Sequence, residues 1–161
     1  MLATRFPNLV GRSLLGVPMH LPADLPAERT LVLCAFRQQQ QGVVDRWISR
    51  SVRELGVAGS PHGRTDLARA VIEVPCLGRQ WRIARRFIDG GMASSIRDPL
   101  VLARTVTVYG DVTATLRALG SSSPHAVQAR VVLRSGEILA AAQGEPEGAG
   151  WEAISAALIS P

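Results

Sequence analysis

The feature that most constrains this chain is an unbroken apolar, β-favouring run at residues 30–36 that gives way at once to glutamines. Thr30, Leu31, Val32, Leu33, Cys34, Ala35 and Phe36 leave no polar face, the mark of a strand covered on both sides of a sheet. Arg37, Gln38, Gln39, Gln40, Gln41 and Gly42 then break the run. From Val43 the spacing turns helical: Val43, Val44, Trp47, Ile48, Val52 and Leu55 share a face, with Asp45, Arg46, Arg50 and Arg53 between them. A buried strand that turns directly into a helix sets the connecting loop at the carboxyl end of the sheet, where open α/β folds usually keep their chemistry. Here that loop holds four consecutive glutamines. A glutamine side chain is no nucleophile, acid or base at neutral pH, so the expected active position is chemically inert.

The rest of the chain supplies neighbours for that strand. Phe6 and Pro7 open an extended stretch, and residues 13–22 read as a short hairpin turning at Gly16, with Pro18 and Pro22 confining both arms to an edge. Gly56 closes the first helix, and Gly59, Ser60, Pro61, His62 and Gly63 mark the clearest loop. Ala70, Val71, Ile72, Glu73 and Val74 form a second strand, stopped by Pro75. Over residues 79–92, Trp81, Ala84, Phe87, Ile88 and Met92 fall on one helical face. The β-branched alternation of residues 104–109 is a third strand, and Asp111 is placed to cap a short helix over 112–119. Residues 127–134 and 137–142 flank Ser135 and Gly136 as a hairpin, and Trp151, Ile154 and Leu158 carry a final helix. After the opening hairpin the order is β-α-β-α-β-α-β-β-α. Helical crossovers join the early strands in parallel, and an antiparallel hairpin closes the sheet. The 161 residues suit a single domain with a sizeable core.

Composition narrows the function classes. All 18 basic residues are arginine and the net charge is +5, which suits an acidic partner but argues mainly about solubility. Two cysteines cannot make a disulfide framework of the secreted kind. No apolar run approaches the roughly 18 residues of a membrane span, and residues 1–6 lack the apolar core of a secretory signal. A cytoplasmic location is therefore expected.

The chemistry-bearing residues do not assemble into a known motif. Cys34 belongs to the buried run and Cys76 follows the strand expected beside it, so the two can approach each other. His20, His62 and His125 are scattered in turns near prolines, with no ligand spacing, and neither a metal nor a cofactor is expected. Arg79, Arg82, Arg85 and Arg86 line the helical face opposite Trp81 and Ile88, a surface for an anion or an acidic partner. No aromatic residues interleave with them, so nucleic acid is not expected. Arg86, Asp89 and Asp98 lie in one region without the pairing that carboxylate catalysis needs. A phosphate-binding glycine loop and a Gly-x-Ser-x-Gly nucleophile are both absent.

This order of elements resembles the thioredoxin-like superfamily over nearly the whole chain. Phe6, Pro7 and the hairpin from Leu14 to Leu21 are similar to the amino-terminal hairpin of its peroxiredoxin-type and cytochrome-maturation-type members. Four features are more narrowly similar to the mitochondrial ATP-synthase assembly-factor family and its bacterial relatives: Phe6-Pro7, the strand ending in Phe36-Arg37, the helix containing Trp47, and the closing hairpin running to Gly144. The resemblance implies an α/β fold, a central mixed sheet flanked by helices with an amino-terminal β-hairpin extension, and a role in protein assembly. Two departures separate the chain from redox-active thioredoxins. Their Cys-x-x-Cys turn is replaced by residues 37–42, and Pro124, 11 residues before Ser135, is the one candidate for their cis-proline. The expectation is a non-catalytic, redox-inactive domain that binds a protein partner through Arg37, Gln38, Gln39, Gln40, Gln41, Arg79 and Arg82. The alternative is a thiol oxidoreductase or peroxidase using Cys34 or Cys76.

Overall fold

The computed structural model describes residues 3–61, 64, 66–78 and 104–161. In chain order these form β1 (Leu9–Ser13), β2 (Pro18–Leu21), β3 (Ala27–Ala35), α1 (Gln41–Leu55), β4 (Leu67–Gly78), β5 (Val106–Gly110), α2 (Val112–Ala118), β6 (Gln128–Leu133), β7 (Ile138–Gln143) and α3 (Gly148–Ile159). The helix expected over residues 79–92, with Arg79, Arg82, Arg85, Arg86 and Asp89, lies outside the described residues, as do His62 and Asp98.

The strands make one seven-stranded mixed sheet in the order β2-β1-β5-β4-β3-β6-β7. β3 sits inside it, parallel to β4 and antiparallel to β6, with Leu33 opposite Glu73 on one side and Ala129 on the other. This explains the unbroken apolar run, because both faces of β3 are covered. Leu31 and Leu33 face α1 and α3, in a core with Trp47, Ile48, Val71, Val131, Trp151, Ile154 and Leu158. Val32 and Cys34 face the opposite layer, with Ile72, Val74, Cys76, Val106, Val108 and Leu119. Complete burial of a side chain such as Leu33 contributes about 1.5–3 kcal/mol. The Trp47 and Trp151 rings meet at 5.9 Å between centroids, tying α1 to α3.

Asp111 caps α2 as its sequence position predicts, accepting a hydrogen bond from the Ala114 amide at 3.0 Å. Gly56 ends α1 in the left-handed conformation, φ +65. Among the described residues no helix is long and apolar enough to cross a membrane.

Three expectations need correction. The first arm of the hairpin begins earlier, at Leu9, and β1 is not an edge: it pairs with both β2 and β5. Only β2, the arm with Pro18, lies at the margin, where a missing amide costs no ladder bond. Pro75 does not stop the second strand, because β4 runs on to Gly78. It falls between the isolated Glu73–Thr105 bridge and the Cys76–Val108 pairing, where β4 changes its contacts from β3 toward β5. The glutamine stretch is not an irregular loop either. Gln38–Gln40 form a single 3-10 turn that runs straight into α1 at Gln41.

Candidate functional site

The site builds from β3 outward. Its last residues deliver Phe36 and Arg37 to the carboxyl end of the sheet, and the 3-10 turn follows at once. Four identical glutamines then take different roles. Gln40 turns inward and is 5% exposed. Its Oε1 accepts from the Phe36 amide at 2.8 Å, and its Nε2 donates to the Pro124 carbonyl at 2.8 Å. This reach back over the start of a helix is a variant of the capping box, and it satisfies backbone groups that would otherwise be orphaned. Arg37, Gln38, Gln39 and Gln41 are exposed, and Gln41 Nε2 donates to Asp45 Oδ1 at 3.0 Å. Gln40 is therefore a strut and its neighbours are the surface.

α1 is held from its other side by the turn after β7. Trp47 Nε1 donates to the Gly144 carbonyl at 2.7 Å, and Arg50 donates to the Pro146 carbonyl at 2.6 Å with its guanidinium 4.2 Å from the Trp151 ring centroid. Arg46 forms a two-bond ion pair with Glu145, at 2.8 and 2.6 Å. The hydrogen bond to Arg46 lowers the Glu145 carboxyl below its ordinary range, and the same bond raises Arg46. Such an exposed pair fixes geometry more than it adds stability. The backbone of residues 36–41 is thus positioned by Gln40, Pro124 and the docked helix, while the side chains of Arg37, Gln38 and Gln39 face solvent.

Beneath the turn lies a buried carboxyl that periodicity alone does not single out. Glu73 stands opposite Leu33, is 5% exposed, and accepts from Thr105 Oγ1 at 3.0 Å. Its Oε2 has no hydrogen-bond partner among the described residues, and the nearest charge is Arg104 Nε at 3.8 Å. Burial raises the Glu73 carboxyl above its ordinary range, against the opposing hydrogen bond from Thr105 and charge of Arg104. The visible signal was one acidic residue inside an otherwise apolar strand. Arg130, buried in β6, carries the same signal.

The other candidates separate. His20 and His125 are exposed, and Cys34 and Cys76 are both buried free thiols. Pro124 does not fill the cis-proline position: among the described residues the cis peptide bond is Leu21–Pro22, and Pro124 serves through its carbonyl. Arg79 and Arg82 lie outside the described residues. Among the described residues no cluster of three or more His, Cys, Asp or Glu could hold a metal ion.

No protein-family model matches the chain, and no curated protein matches it either. Solved structures do. A putative electron transport protein from Aquifex aeolicus VF5 is similar across 100% of both chains, with a TM-score of 0.59 at 13% identity. BsSco, a member of the Sco family of cytochrome c oxidase assembly proteins, is similar over 98% of this chain and 93% of its own, with a TM-score of 0.58 at 11% identity. The exposed lipoprotein thioredoxin of Streptococcus pneumoniae strain TIGR4 is similar over 94% of this chain and 98% of its own, with a TM-score of 0.56 at 10% identity. At these identities the likeness speaks of fold alone, and the fold is thioredoxin-like, with an amino-terminal β-hairpin added to the central sheet.

Proposed function

We propose that this chain is a single cytoplasmic domain that binds a protein partner, in the manner of an assembly factor, without dithiol turnover. Arg37, Gln38, Gln39 and Gln41 are its contact residues, Gln40 holds them in place, and Arg79 and Arg82 add a weaker basic surface. The fold does not choose the function, since proteins named for electron transport, for oxidase assembly and as a thioredoxin share it. The turn does. The observation that carries this reading is a backbone pinned at Phe36 and Pro124 by Gln40, with four polar side chains presented outward and no thiol among them. Glutamine offers donors and acceptors together, which suits the backbone of an extended peptide or of a partner's loop.

The test is partner capture from the protein's own cell by the wild type and by an Arg37→Ala, Gln38→Ala, Gln39→Ala triple variant. Gln40 stays untouched, so that folding does not confuse the result. The triple variant is expected to capture its partner about tenfold more weakly or worse, the loss of a contact centre. Alanine at Arg79 and Arg82 is expected to cost less, and its effect should fade as salt rises. Capture by the triple variant at wild-type strength would place the binding surface elsewhere.

A further inference from the structure

A recess of about 500 Å³ opens toward the amino ends of β3, β4 and β5, the far end of the sheet from the glutamine turn. Its volume falls within the roughly 300–1,000 Å³ of small-molecule sites. Ile72 and Val106, both buried in the layer with Val32 and Cys34, supply its floor. Met19, Leu25 and Pro26 wall it, and Val17 adds an apolar side chain that is 45% exposed. Water here lies against apolar surface that an apolar ligand would cover.

The charged lining is mostly of one sign. Among the described residues, Arg64, Arg104 and Arg134 stand against one carboxylate, Asp24. Asp24 is already committed, since its Oδ2 accepts from the His20 amide at 2.7 Å. Arg134 holds the wall, donating to the Leu25 and Pro26 carbonyls at 3.0 and 3.1 Å. Arg104 is poorly matched by its surroundings. Its side chain is 13% exposed, Glu73 lies at 3.8 Å and the Gly59 carbonyl at 3.5 Å, and its Nε has no hydrogen-bond partner among the described residues. A desolvated guanidinium with only long contacts gains from any acceptor that approaches closely. Arg64 is more exposed and pairs loosely with Asp66, at 3.4 Å through two nitrogens. Such a pair is weak enough to turn toward an incoming anion.

We propose that this recess binds an amphipathic carboxylate, a small molecule with an aliphatic body and one anionic head, the body over Ile72 and Val106 and the head at Arg104 and Arg64. A neutral apolar molecule leaves the arginines unused. A small hydrophilic anion leaves the floor wet. Only a ligand with both parts uses the whole lining, and a guanidinium matches a carboxylate in two parallel bonds. No bond is made or broken. The site is separate from the turn, so the proposal goes beyond the partner-binding reading and stands without it.

The experiment titrates the whole protein in a calorimeter with decanoate, decan-1-ol and acetate, each below its aggregation limit. Decanoate should saturate one site per chain and bind at least about tenfold more tightly than decan-1-ol, with no measurable heat from acetate. In amide NMR spectra, decanoate should move the signals of Met19, Leu25, Ile72 and Val106 and leave Gln38 and Gln39 in place. Arg104→Gln and Arg64→Ala should each weaken decanoate about threefold or more while decan-1-ol binds as before, and the Arg64 effect should fade with salt. Equal affinity for decanoate and decan-1-ol, the absence of saturable binding, or shifts that miss the recess would overturn the proposal. Should Arg104→Gln fail to fold, the wild-type comparison and the exposed Arg64→Ala variant decide the matter.

Discussion

β3 and the turn that follows it are consecutive in sequence and opposite in how they spend their side chains. In β3 residues 30–34 are all buried, and residues 31–34 alternate between two cores. In the turn only Gln40 is buried, and the residues around it face outward. The strand is thus built for stability and the turn for presentation, with one glutamine joining the two tasks. In a redox-active relative of this fold the thiols would stand in the turn. Here the thiols have their place in the layer beneath, and the exposed position carries amides.

The contrast can be broken at graded points. The largest effect is expected at Leu33→Ala, which removes a fully buried side chain packed with Trp47 and should destabilise by about 2–5 kcal/mol in denaturant unfolding. A loss under about 1 kcal/mol would mean that β3 is not central. Next comes Gln40→Ala, which leaves the Phe36 amide and the Pro124 carbonyl unpartnered and should cost about 1–3 kcal/mol. Gln38→Ala and Gln39→Ala should stay within about 0.5 kcal/mol of the wild type. Equal effects at all three glutamines would erase the distinction between strut and surface.

A smaller effect sharpens the boundary between the layers. The Glu73 carboxyl is raised by burial, so the folded state holds its proton more tightly than the unfolded chain does. Its contribution is fully present below the unfolded value of about 4.5 and is lost as pH rises through the raised folded value. Glu73→Gln should flatten that fall in stability between mildly acidic and neutral pH. The exposed Glu145, lowered by Arg46, acts in the opposite sense, its contribution being lost as pH falls. An unchanged stability–pH profile in Glu73→Gln would show that Glu73 is solvated in the folded protein.

Much of this architecture was legible because it rests on periodicity. The unbroken run of β3, the helical spacing around Trp47 and the closing hairpin each state their partners through burial pattern alone. The inward turn of Gln40 was not legible, since four identical residues differ only in what lies near them. Its second partner, Pro124, is 84 residues away. Arg130 was hidden for a related reason, because its acceptors at Leu119 and Ala142 come from elements 11 and 12 residues to either side. Glu73 and Arg130 nevertheless stand as charges within apolar strands, a pattern that carries a desolvation penalty and asks for a partner, and that signal was available but not read. Pro75 misled as a strand breaker, because β4 changes neighbours at the point where its amide is missing.

The central claim, a thioredoxin-like domain whose exposed turn does no dithiol chemistry, is tested most directly by insulin disulfide reduction with dithiothreitol as the electron source. The rate with the wild-type protein should match the protein-free baseline, because Cys34 and Cys76 are buried beyond the reach of a protein disulfide. Robust turnover that disappears in Cys34→Ser or Cys76→Ser would contradict the account.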